Sequence, residues 1–222
     1  MGKPLTRRTA LLEVTAAFIV AIGLLKLLDS SRGVPFISDY FAVFVPAVFI
    51  YTPIAVLYFR RASFDGMGFG LERPGRAALY ALGATAIVLP LFVLGFKLYS
   101  RVLFDATLRF RVPQDAGEVF LYQLLCVALP EEFFYRGYVQ SRLHQAFPHS
   151  PHWLGCVFSV GFLYANFLFA LGHPLINFDL TRFATFVPGL MFAWLRERTG
   201  SIYAGAFFHA MCNMTMIGIH GG

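Results

Sequence analysis

The chain has 222 residues, of which 58% are hydrophobic and only 14% charged. Soluble domains carry about 25% charged residues, so this deficit excludes an ordinary soluble globule and points to a membrane protein. The formal net charge of +6 does not indicate nucleic acid, because the basic residues fall between apolar stretches, where positive-inside topology and contact with anionic headgroups place them.

About 20 apolar residues cross a bilayer as a helix, and seven stretches approach that length. The first runs near Thr9–Leu28. It follows a basic start, MGKPLTRR, and no small-x-small cleavage site precedes Asp29, so it reads as an uncleaved span rather than a signal peptide. The second runs near Asp39–Phe59 and the third near Ala77–Phe96. The fourth begins near Gly117 and passes Glu131 toward His144. The fifth covers Trp153–Gly172, the sixth Thr181–Leu195 and the seventh Ile202–Ile219.

The connections carry turn-formers. SSRGVP follows the first span, and FDGMGFGLERPGR, with four glycines and a proline, follows the second. RFRVPQDAG precedes the fourth and FPHSPH the fifth. No internal repeat or low-complexity tract interrupts this pattern. The expectation is an all-α, polytopic bundle of about seven membrane helices, forming one integral-membrane domain over residues 1–222. With the N-terminus inside, ten basic residues fall in inner loops and six in outer ones, a bias that favours this orientation. Cys126, Cys156 and Cys212 all lie in apolar segments. Their odd number and spacing fit neither a disulfide framework nor a zinc site, so they read as small apolar fillers.

Ionisable residues inside membrane helices are costly, about 2.5–3.5 kcal/mol each on insertion scales, and so mark function. The run Ala128–Tyr138 holds Glu131, Glu132 and Arg136. Helical neighbours point about 100° apart, so the two glutamates diverge. Glu132 and Arg136, four apart, pair on one face. Glu131 is left toward Phe134, Tyr135 and Tyr138, where a carboxyl can serve as a general base. Pro130, just before it, removes a backbone hydrogen bond and opens the helix locally. His173 closes the fifth span with Phe169 one turn earlier. His209 and Asn213, four apart in the seventh span, share a face and can both donate, which suits a developing oxyanion. The structural counterparts of these readings are an ion-paired packing element, an interfacial histidine and interhelical hydrogen-bond glue. Only the hydrolytic reading uses all three sets together.

These three motifs resemble those of the CAAX-processing and bacteriocin-immunity protease family, CPBP or Abi, which is similar in fold to the eukaryotic Ras-converting endopeptidase. Glu-Glu-x-x-x-Arg is met by Glu131, Glu132 and Arg136, Phe-x-x-x-His by Phe169 and His173, and His-x-x-x-Asn by His209 and Asn213. The resemblance covers about residues 117–218, which would form the catalytic core; the first three spans match only as generic membrane helices. It implies a glutamic-type intramembrane endopeptidase, of a kind often labelled metalloprotease. Glu131 and His173 would activate water, and His209 and Asn213 would form the oxyanion hole. Glu132, Arg136 and Phe169 would support them. No cofactor is expected. The alternative is a zinc ion at Glu131, His173 and His209, but no His-Glu-x-x-His pair is present. The expected partners are the lipid bilayer and a membrane-anchored protein or peptide, cut to remove a C-terminal anchor or sorting segment, with the enzyme multi-pass in a bacterial plasma membrane. Two competing readings are a non-catalytic bacteriocin-immunity or scaffold protein and a small proton-coupled transporter with Glu131 and the histidines as a relay.

Depth poses a geometric condition. Glu131 is about 21 Å into its span at helical rise, whereas His173 ends the next one. The two meet only if the fourth span starts in the interface or the helices tilt.

Overall fold

The computed structural model describes residues 5–70, 72–105, 109–148, 152–153, 156–157 and 159–220. The first helix, α1 (Arg7–Ser30), starts at Thr6, whose hydroxyl accepts from the Thr9 amide. Its buried residues Ala10, Val14, Ala17, Phe18, Ala21 and Leu25 recur every three or four positions, so one stripe faces the bundle and the rest faces lipid. A short helix, α2 (Pro35–Asp39), leads into α3 (Phe41–Arg60), and α4 (Pro74–Phe104) follows the glycine-rich loop.

The next helical rod runs without a break from Ala116 to Ala146 but changes pitch. It comprises α5 (Ala116–Tyr122), a π-helical stretch Gln123–Ala128, α6 (Leu129–Glu132), a second π-helical stretch Phe133–Gln140 and α7 (Ser141–Ala146). A two-residue hairpin, β1 (His152–Trp153) against β2 (Cys156–Val157), separates it from α8 (Val160–Asn177). A 3-10 turn (Leu180–Thr185) enters α9 (Phe186–Thr199), and α10 (Ile202–His220) ends the described chain.

The helical membrane architecture is as expected, but the count of seven full spans is not. Among the described residues four helices are long and apolar enough to cross a membrane, namely α1, α3, α4 and α10. The remaining passes fall short for separate reasons. With 14 residues, α9 rises only about 21 Å. The rod carries buried Glu132 and Arg136 and half-buried Glu131. The fifth pass does not begin at Trp153: the hairpin takes that segment, and α8 starts seven residues later (160 − 153). Cys126 and Cys212 are free and half-buried, while the Cys156 side chain lies outside the described set.

Polar contacts fix how the helices align. Thr15 meets Tyr164 at 2.9 Å and Lys26 donates to the Ile176 carbonyl at 2.8 Å, so α1 and α8 run parallel. Near the other end of α1, buried Glu13 takes two bonds from Arg142, at 2.8 and 3.1 Å, and one from the Tyr138 hydroxyl at 3.2 Å. Arg60 approaches it at 3.1 Å. Arg196 reaches the Gly66 carbonyl at 2.7 Å and Arg198 the Tyr80 hydroxyl at 2.6 Å. The ends of α3, α7 and α9 and the start of α4 therefore gather at one basic end of the bundle. Lys26, Asp29 and Arg32 lie at the opposite end.

Glu13 is the acid that Arg60, Arg142 and Tyr138 share in a clasp joining three helical segments. Glu13→Ala strands the buried Arg142 and is expected to cost about 3–5 kcal/mol, whereas Tyr138→Phe removes one neutral donor and costs about 1 kcal/mol. Thermal unfolding of the detergent-purified chain should rank them so; equal Tm values would refute the clasp.

Candidate active site

Pro130 stands between the two π-helical stretches, where its missing N–H leaves the helical ladder incomplete. Such wide turns recur at functional sites because they re-aim side chains. The segment that follows carries the first motif. Glu132 and Arg136 are both fully buried and face each other, Nε to Oε2, at 3.5 Å. This is the pairing the four-residue spacing predicts.

Arg136 is held by more than Glu132. Its Nη2 donates to the Gly189 carbonyl at 2.8 Å and to Asn166 Oδ1 at 3.3 Å, and its guanidinium lies over the rings of Phe169 (4.5 Å) and Phe192 (5.5 Å). Asn166 is itself anchored, its amide donating to the Phe186 carbonyl at 2.9 Å. Sequence reasoning missed Asn166 and Phe192. The available signal for Asn166 was a fully buried amide in the apolar run Val160–Leu171, two turns before His173.

His209 lies between the two glutamates. Its Nδ1 is 3.4 Å from Glu132 Oε1 and its Nε2 is 3.9 Å from Glu131 Oε2. This corrects the expectation that Glu131 and Glu132 serve unrelated faces: they diverge, but one imidazole spans the gap and meets each with a different nitrogen. Its ring stacks on Phe192 at 4.5 Å and 14° and stands edge-on to Phe169 at 5.7 Å. Phe169 thereby touches both motif histidines, since His173 also lies edge-on to it at 4.8 Å. Gly205 gives the cluster room, because a Cβ there would come within 2.9 Å of Glu132 Oε2.

His173 is four residues short of the end of α8, not terminal. The later start of α8 moves it about 10 Å back along the bundle, and the adjacent Gly172 nestles against the Tyr135 hydroxyl and Ile22. That removes the depth mismatch. Glu131 and His173 line one cavity of about 190 Å³, together with Tyr135 and, from the first helices, Asp29, Arg32 and Phe41. The His173 Nδ1 lies 2.9 Å from the Phe169 carbonyl. A carbonyl only accepts, so Nδ1 carries a proton and donates in this bond.

Asn213 is one turn beyond His209 but does not line that cavity; its amide donates to Gln123 Oε1 at 2.9 Å. Gln123, on the first π-helical stretch, is a third residue that sequence reasoning missed. Both nitrogens of His209 are turned to carboxylates, and among the described residues no group of three His, Cys, Asp or Glu side chains is arranged to hold a metal ion.

Fold and site together define a multi-pass membrane protein with a titratable cluster enclosed between its helices. Residues 115–215 match the family model described as type II CAAX prenyl endopeptidase Rce1-like, and all three motifs fall inside the match. In this segment, a little under half of the chain, the protein is similar to that family of CAAX-type endopeptidases. No curated protein and no solved structure matches the chain.

Two glycines give opposite expectations. At Gly189 a Cβ would overlap the Asn166 amide oxygen, whereas at Gly117 it meets nothing within 4 Å. Gly189→Ala should destabilise by about 1–3 kcal/mol, and Gly117→Ala in α5 should stabilise by up to about 1 kcal/mol. Unfolding midpoints in one detergent test the sign of each.

Proposed function

We propose that this chain is a glutamic-type intramembrane endopeptidase that hydrolyses a peptide bond of a membrane-anchored protein, removing a C-terminal anchor or sorting segment. The observation that carries the reading is the shared cavity of Glu131 and His173, with Glu131 Oε2 buried and without a hydrogen-bond partner among the described residues. A buried carboxylate oxygen needs a donor. A water bound there would supply one, in the cavity that His173 also lines.

In this mechanism Glu131 and His173 together draw a proton from water, and the oxygen attacks the scissile carbonyl. The carbonyl oxygen gains negative charge as the tetrahedral intermediate forms. His209 and Asn213 are the donors proposed for it; Asn213 has two amide hydrogens and gives only one to Gln123. Collapse breaks the C–N bond, and the proton held by Glu131 passes to the leaving amine. Glu132, Arg136 and Phe169 act through His209 and His173 as positioning residues. No step requires a metal ion.

The cavity is lined by Asp29 and Arg32 at the less basic end of the bundle. The positive-inside rule assigns the arginine-rich end to the cytoplasm, so the cavity opens toward the other face, proposed here to be the outer face of a bacterial plasma membrane. Asp29→Cys should then react with a membrane-impermeant maleimide added to intact cells; labelling only after lysis would reverse the assignment.

The decisive experiment compares membrane proteomes of cells carrying wild type and Glu131→Gln at equal expression. Uncleaved precursors should accumulate with the variant, and once a substrate is in hand its cleavage rate should fall about 10²–10⁴-fold. Asn213→Ala should lower kcat about 10²–10³-fold with little change in KM. A Glu131→Gln strain indistinguishable from wild type in proteome and phenotype would instead support a non-catalytic immunity or scaffold role.

A further inference from the structure

The basic end of the bundle contains a second cavity, far from the Glu131 cluster. It measures about 560 Å³ and lies between the glycine-rich loop, the start of α4 and the α9–α10 junction, with Arg73, Arg76 and Arg198 in its lining. The loop is strapped in place by its own carbonyls: Gly66 accepts from Arg196, Gly68 from the Ile202 amide at 3.0 Å, and Phe69 from the Tyr203 hydroxyl at 3.1 Å.

Two guanidinium groups converge on one ring here. Arg76 lies 5.7 Å and Arg198 5.3 Å from the Tyr80 ring centre, and Arg198 also donates to its hydroxyl. Glu197, the acid next to Arg198, is committed elsewhere: it accepts from Gln140 at 2.6 Å and faces His144 at 3.3 Å. Arg73, exposed at the mouth and three residues before Arg76, adds a third cation. Asp65, Glu72 and, beside its bonds to Gln140 and His144, Glu197 also line the cavity. They can accept from hydroxyl groups but not from a bare anion.

Depth identifies the source of the anion. Tyr80 and Trp194 pair edge-on at 5.6 Å beside the cavity, and such aromatics with polar tips belong at headgroup level. The arginine-rich end faces the leaflet where anionic lipids provide the dominant charge.

We propose that this pocket binds the headgroup of an anionic phospholipid, its phosphate held by Arg73, Arg76 and Arg198 and its hydroxyls by Asp65 and Glu72. Phosphatidylglycerol carries both features and serves as the probe. Its site is separate from the peptidase reading and stands or falls without it.

Native mass spectrometry of the full chain released from neutral detergent reads the bound lipid directly. The wild type is expected to retain phosphatidylglycerol over phosphatidylcholine at least about tenfold, two or more charge-assisted contacts being at stake. Arg73→Gln with Arg76→Gln should abolish that preference. Arg8→Gln with Arg61→Gln removes the same charge from the same end outside the pocket and should leave it intact. An unchanged preference in the first variant, or an equal loss in the second, overturns the site. Displacement of the lipid by equimolar inorganic phosphate overturns the headgroup assignment in favour of a soluble phosphate.

Discussion

The architecture depends on gathering two carboxylates, a guanidinium and an imidazole in one place between the helices. Any one of them alone would be expelled from a low-dielectric interior. Together they are tolerable: Arg136 faces Glu132, and the two ring nitrogens of His209 point at Glu132 and Glu131. Removing one member leaves an uncompensated charge, so the four residues behave as a unit. The surrounding sequence is fitted to that unit. Gly189 and Gly205 allow backbone and side chains to approach, while Phe169 and Phe192 present ring faces to the guanidinium and close the cluster from lipid.

The pitch of the rod is what lets adjacent residues share one histidine. In a regular α-helix Glu131 and Glu132 would part by about 100° and stay one rise apart. They still part here, but α6 is a single turn between two π-helical stretches, with Pro130 inside it. The widened turns place this short segment against α10, and His209 enters the angle between the carboxylates. Glu131 then keeps one side toward His209 and the other toward the cavity it shares with His173. A strictly regular rod would have presented one glutamate to the bundle and the other to a different neighbour.

Much of this was legible in the sequence, for physical reasons that also mark where legibility stopped. Ionisable residues in apolar runs are conspicuous because the bilayer penalises them, so Glu131, Glu132, Arg136, His173 and His209 could be picked out singly, and Asn213 through its four-residue spacing from His209. Helical spacing sufficed for the Glu132–Arg136 pair. It could not foresee His209 between the glutamates, because that depends on where α10 meets the rod. The π-helical stretches have no simple periodic signature, and the hairpin at residues 152–157 replaced a segment whose hydropathy alone reads as helix. That substitution shifted α8 and brought His173 level with Glu131. Asn166 and Gln123 were overlooked because neutral amides cost less than charges in the same position. They attract notice only once their partners, Arg136 and Asn213, are seen.

The division of labour within the chain bears on what the enzyme would cut. The family match begins at residue 115 and contains every member of the titratable cluster. The cavity does not respect that boundary. Leu25 and Asp29 come from α1, Arg32 from the turn after it, and Phe41, Val45 and Phe49 from α3. Arg32 pairs with Asp29 at 3.1 Å and lies 3.6 Å over the Phe41 ring, tying the two helices together at the mouth. Chemistry is thus supplied by a segment shared with a family, whereas shape and charge at the entrance come from helices that resemble only generic membrane spans. Selectivity is set by the groups that meet the substrate's flanking residues. Under the proposed reading, substrate preference would not carry over from the family with the motifs but would depend on α1 and α3, whose residues line the cavity mouth, and exchanging those helices between relatives is the change that would move it.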